Sequence, residues 1–294
     1  MPSGVPVLPP ALFSTPCQPA ERQERMPTDS FPAALFDSID ATRLALLAAI
    51  YFGAFAVKGA TGLGSLTPTI VFGALVIGAH HAVALAVMGN MLSQLQFVVH
   101  GFRFGDWAIA RRVIVPNFAA AALGIWIFGR IGAPEMTLVL GLSLSLLVLL
   151  DVTGFWARLA GRIDIAHPRN LFVLSALSGL ISGTTGAGGL LFLAVYLRLV
   201  KPDKTDFRAT ILLLGTLVVG WRAIVMVYAG HIDTQILTES LLLYPVILLG
   251  GLAGSRLFGR ISERRFTHIL QVVVLFGASV LVWRGLRYFL GLGA

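Results

Sequence analysis

Residues 58–68 read KGATGLGSLTP, one lysine, three glycines and a proline set inside an apolar run. A straight membrane helix has no use for a buried ammonium or for residues that loosen helical backbone. The stretch is therefore read as a break within a membrane-embedded segment. It is also duplicated. GATGLGSLTPTIVF from Gly59 aligns with GTTGAGGLLFLAVY from Gly183 at a shift of 124, pairing Gly59 with Gly183, Thr61 with Thr185, Gly62 with Gly186 and Gly64 with Gly188. Farther along, LGIWIFGRI at 123–131 matches AGSRLFGRI at 253–261 at a shift of 130. Such a duplication in apolar sequence predicts two copies of one membrane unit, the construction common among secondary transporters.

Composition gives the setting. Of 294 residues, 56% are hydrophobic and 12% charged, and the mean hydropathy is +0.85, which belongs to a polytopic membrane protein rather than a soluble domain. The net charge of +8 does not read as a nucleic-acid footprint. Most bases lie in short loops between apolar runs, where they record insertion topology and contact with anionic lipid. The one cysteine, Cys17, allows no intrachain disulfide. Residues 1–38, with eight prolines and no helical periodicity, are read as a disordered extension, and Met26 offers an alternative start.

The fold class is all-α, with eight to ten helical segments in two inverted-topology repeats of about five each and glycine-broken helices at the repeat interface. Apolar runs are drawn at 41–60, 64–79, 82–100, 111–130, 135–153, 170–184, 187–200, 207–229, 236–259 and 266–290. Repeat 1 is 39–153, a cytoplasmic linker is 154–169 and repeat 2 is 170–294. Runs 64–79 and 187–200 are short for a ~30 Å hydrocarbon layer and each follows a break, so both are half-helix candidates. An odd number of segments per copy inverts the second copy. The bases agree: Arg103, Arg111 and Arg112 face a counterpart, HIDTQ at 231–235, with no Lys or Arg. Conversely GAHH at 78–81 has none, while its counterpart carries Lys201, Lys204 and Arg208. Under the positive-inside rule both termini then face outward.

Backbone that unwinds in a bilayer must be buried in protein or line a polar cavity. Where each chain resumes as a helix, free N–H groups and the positive end of the helix dipole favour an anion. The candidate substrate-binding residues at the first break are Lys58, Gly59, Thr61, Gly62, Gly64 and Ser65. At the second they are Gly183, Thr184, Thr185, Gly186, Gly188 and Gly189. Asn90, Thr216 and Arg222 join them from neighbouring spans. The acids of the spans, Glu135, Asp151 and Glu239, are placed at segment ends, so a mobile anion is the natural partner for Lys58 and Arg222. His80, His81, His100 and His231 are read as loop residues. No P-loop, nucleophile elbow, paired-carboxylate set or Cys/His cluster occurs, so no enzyme activity, cofactor or metal is expected.

Taken together, the duplicated glycine motif, SLTPTIVFG at 65–73, GAHHAVALAVMGN at 78–90 and GLISGTTGAGGLLF at 179–192 resemble the TauE/SafE family of sulfite exporters and related permeases. The resemblance covers about 41–290. It implies a multi-pass carrier of small inorganic or organic anions, especially sulfur-containing ones such as sulfite or sulfonates, in the bacterial inner membrane. Its partners are then a small anion and the lipid bilayer, with no nucleic acid. Two other readings are an anion channel, which ring oligomers normally supply, and a non-transporting accessory subunit, for which the short loops leave little docking surface.

Overall fold

A computed structural model describes residues 41–61, 64–155, 158, 167–200, 203–257 and 263–291. The sequence-predicted extension at 1–38, Gly62 and most of the linker lie outside the described residues. Every regular element among the described residues is helical: α1 (Ala41–Thr61), α2 (Leu66–Ile77), α3 (Ala79–Gln94), α4 (Val98–Phe104), α5 (Trp107–Phe128), α6 (Ala133–Val152), α7 (Pro168–Thr185), α8 (Gly189–Val200), α9 (Lys204–Tyr228), α10 (Thr234–Leu257) and α11 (Glu263–Phe289).

Fewer of these cross a membrane than the eight to ten segments read from hydropathy. Six are long and apolar enough, namely α1, α5, α6, α9, α10 and α11, or seven if α3 and α4 count as one span bent by 65°. The 12-residue α2 and α8 reach only about 18 Å at 1.5 Å per residue. Helix α7 has a span's length of 18 residues but carries Arg169, Asn170, three serines and two threonines. Neighbouring helices meet some of its polar groups: Asn117 Nδ2 on α5 donates to Ser175 O at 3.1 Å and to Ser178 Oγ at 3.2 Å, and Ser178 Oγ donates to Gly189 O at 2.7 Å.

Local chemistry sets the helix ends. Asp106 caps α5 by accepting from the Ala108 and Ile109 N–H groups at 2.9 and 3.2 Å, and Asp203 caps α9 in the same way through Thr205 and Asp206. Helix α7 opens with Pro168 in its first turn, where the missing N–H costs nothing. It closes on Gly186, left-handed at φ 77°.

With lipid outside, apolar burial gives helices little reason to associate, and close backbone packing at small residues takes over. Helices α5 and α7 pack closely along their length. A Cβ on Gly183 would overlap the Ala121 carbonyl, and one on Gly124 would lie 2.6 Å from the Leu180 carbonyl oxygen. Helices α1 and α10 meet in a matching way: Gly59 abuts the Gly251 carbonyl and Gly254 the Ala56 carbonyl. The contacts correspond at the shifts of the sequence repeat, 183 − 59 = 180 − 56 = 124 and 251 − 121 = 254 − 124 = 130.

The loops sort by end. At one end Asp106 N–H donates to Thr210 Oγ1 at 3.2 Å, which brings the Arg103–Arg112 segment to the Lys204–Arg208 segment. At another the ring of Phe128 lies between His80 (4.8 Å, tilted) and His231 (5.2 Å, edge-on), joining the base-poor segments near 80 and 231. His80 and His81 are thus helical, the second and third residues of α3, not loop residues as read from sequence.

Candidate functional site

Between α1 and α2 the chain passes through Gly64 at φ 95°, and between α7 and α8 through Gly186 and Gly188 at φ 77° and 83°. These left-handed values suit glycine, so the breaks depend on residue type and not on length alone. Both openings face one cavity of about 70 Å³, room for roughly five waters or one small oxyanion at ~10–15 Å³ per water. Gly64, Ser65, Leu66 and Thr67 line it from the start of α2, and Ala187, Gly188, Gly189 and Leu190 from the start of α8. The first N–H groups of a helix have no carbonyl of their own to bond, so two donor-rich ends converge here. Ser65 makes no side-chain cap that would occupy them at α2.

Two cations complete the wall, Lys58 from α1 and Arg222 from α9, exposed by only 7% and 1%. Lys58 Nζ donates to Asn90 Oδ1 and Ser93 Oγ, both on α3. Two of its three hydrogens are thereby used. Arg222 Nη1 donates to the Ser182 carbonyl at 3.0 Å, while its Nε and Nη2 are buried and have no hydrogen-bond partner among the described residues. Among the described residues no aspartate or glutamate lines the cavity. A buried guanidinium with idle donors is costly unless an acceptor arrives, since each unmet buried donor costs about 1–3 kcal/mol and more when charged.

Seven of the sequence-predicted residues line this space: Lys58, Gly64, Ser65, Asn90, Gly188, Gly189 and Arg222. The others are elsewhere. Gly59 and Gly183 lie within helices and serve close packing against α10 and α5. Thr184 Oγ1 donates to Leu180 O at 3.0 Å and Thr216 Oγ1 to Leu212 O at 2.8 Å, each inside its own helix. Thr185 Oγ1 bonds the Ile181 carbonyl at 2.7 Å and accepts from Ala187 N–H at 3.3 Å, so it braces the turn that Gly186 makes. Thr61 ends α1, and Gly62 lies outside the described residues.

The family model described as sulfite exporter TauE/SafE matches residues 46–281, most of the chain and nearly the whole helical region. The chain belongs to the TauE/SafE family. No curated protein and no solved structure matches it. Family and fold agree on a multi-pass membrane protein with a role in transport.

In this TauE/SafE chain several lining residues escaped the sequence reading. Val218 and Val219 line the cavity because they stand four and three positions before Arg222, on its side of α9. The same spacing puts Thr216, six positions before Arg222, on a different side, a signal available from helical periodicity alone. Ser182 enters through its carbonyl, the acceptor for Arg222, and a backbone role of that kind leaves no trace in residue type.

Proposed function

We propose that the chain is a secondary carrier of a small sulfur oxyanion, sulfite or a short sulfonate, bound in the cavity where α2 and α8 begin. One observation carries this reading: a cavity walled by two buried cations and two helix N-termini, with no carboxylate among the described residues that line it and with two idle Arg222 donors. An oxyanion with several acceptor oxygens satisfies those donors and offsets both charges. Asn90 and Ser93 hold the Lys58 ammonium against the wall, which leaves it oriented before the anion arrives. The backbone breaks and the paired contacts α5·α7 and α1·α10 support two inverted copies meeting at the bilayer midplane, the arrangement in which carriers alternate access by moving one part against the other. The family match supports sulfur anions as cargo, and the proposed location is the bacterial inner membrane.

Sulfite flux into proteoliposomes of the purified full chain tests the reading. Saturable flux is expected, reduced about a hundredfold in Lys58→Ala and Arg222→Gln, since each removes a charged hydrogen bond to the anion worth ~1.5–3 kcal/mol. Wild-type flux in both variants puts the anion elsewhere, and flux that never saturates favours a pore.

A further inference from the structure

The anion cavity uses two of the three buried charged side chains among the described residues; the third is Glu239, exposed by 6%. It lies on α10, and its Oε2 is 2.6 Å from His81 Nε2 on α3. Gln235 Nε2 donates to its other oxygen, Oε1, at 2.8 Å. The His81 side chain is 30% exposed and the Glu239 side chain 7%, so one partner meets the surroundings and the other is enclosed.

The pair is wired to the cavity through the same helices. Helix α3 carries His81 and, nine residues on, Asn90, the acceptor of Lys58, at about 13–14 Å along the axis. Helix α1 carries Lys58 and, seven residues earlier, Tyr51, which is fully buried and close enough to feel the Glu239 charge. Tyr51 and Ile247 both press on Gly89 of α3, where a Cβ would meet them at 3.0 and 3.2 Å. Glu239 and Ile247 each stand 158 positions after their α3 partners, so α3 and α10 run side by side in the same direction.

The other titratable groups around the pair are few. Asp233, just before α10, adds a second negative charge near His81. His80 turns away, with Nε2 3.3 Å from the Phe128 carbonyl. His231, in the connection before α10, is held below the ordinary histidine value by burial and by His80. Helix α2, packed on α3, has no titratable side chain, and α9 reaches the cavity end of α3 with Arg222.

We propose that His81 and Glu239 form the site of a coupling proton. A proton from water adds to the pair, takes its net charge from −1 to zero and leaves as the pair is exposed to the opposite side, with no other atom exchanged. Ionisable residues inside membrane spans are expensive and mark proton paths, and histidine is the side chain that most readily changes charge near neutral pH. An ion pair kept only for stability would be an uneconomical device, since apolar replacement of buried pairs is commonly neutral or stabilising.

This inference rests on the carrier reading above, and two assays on the full chain in proteoliposomes keep the two apart. One measures sulfite accumulation driven by a pH gradient with the membrane potential clamped; the other measures exchange of labelled for unlabelled sulfite at equal pH and concentration on both sides. Sulfite itself takes up a proton, so each variant is judged against wild type. Glu239→Gln, which keeps size and hydrogen-bonding capacity, and His81→Gln are expected to lose accumulation by about tenfold or more, as for a severed proton path. Exchange should stay within about threefold of wild type, which also reports that the variants are folded. Accumulation at wild-type level in both variants overturns the proposal, and so does exchange that falls in step with accumulation, the mark of a structural role. Wild-type exchange with no response to the gradient overturns it too. A wild-type chain that moves no sulfite in either assay sinks the carrier reading, and this inference with it.

Discussion

Arg222 carries the sharpest contradiction in the molecule, a guanidinium exposed by 1% with Nε and Nη2 unbonded among the described residues. Nothing in folding alone recommends such a residue, because desolvating an unpaired charge costs several kcal/mol. Arg222→Met is therefore expected to unfold no more easily than wild type in the absence of anion. Its effect appears on adding sulfite. Wild type should gain about 2.7 kcal/mol of apparent stability at a hundred times its dissociation constant, and the variant none. Thermal unfolding in detergent, with and without sulfite, reads both quantities. A large anion-independent loss of stability in Arg222→Met would instead make the Ser182 contact structural. Lys58 differs in kind, since two side chains already hold it in place.

Among the helices, the glycines divide into two jobs that residue type does not distinguish. Gly59, Gly183, Gly124 and Gly254 let backbones approach, whereas Gly64, Gly186 and Gly188 turn the chain at positive φ. Substitutions should separate them. Gly124→Ala and Gly254→Ala place a methyl against a carbonyl of a neighbouring helix and are expected to cost ~1–3 kcal/mol each by overpacking. Gly188→Ala pays ~1–2 kcal/mol for a left-handed residue and crowds Leu147 as well, and its effect should extend to flux because it reshapes the start of α8. Gly220→Ala has open space around its Cβ and is the control: mid-helix, it should stabilise α9 by ~0.5–1 kcal/mol. Denaturation midpoints of the four variants make the comparison. Equal effects at Gly124, Gly254 and Gly220 would remove the case for close packing at the two helix pairs.

Seen whole, the chain groups its loops by charge. The segment near 103–112 touches the one near 203–210, and the segment near 80 shares Phe128 with His231. Inverted copies predict that the first group is cytoplasmic and the second external. In a Cys17→Ser background, Arg103→Cys and Asp206→Cys should react with an impermeant maleimide from one side of the membrane, and Asp233→Cys only from the other. Labelling of all three from one side would end the inverted arrangement. The His81–Glu239 pair lies at the base-poor end, which under this topology faces the side from which the proton-motive force delivers protons.

What the sequence determined by itself is the class of molecule: its apolar content, its duplicated glycine motif and the setting of Lys58 beside the first copy follow from composition and self-similarity, which are local properties of a string, whereas Arg222 stands far along the chain from either copy. The α3–α4 bend, the low apolarity of α7 and the smaller number of spans were less legible, because hydropathy averages over the polar residues that neighbouring helices satisfy. Only the tertiary structure decided which side of each helix meets which neighbour. It turned Gly59 and Gly183 toward packing, brought Val218 and Val219 to the cavity, and joined His81 to Glu239 across 158 positions of chain. Those outcomes depend on contacts between segments distant in sequence, where shape and the need to satisfy buried polar groups select one arrangement from many that the same residues permit.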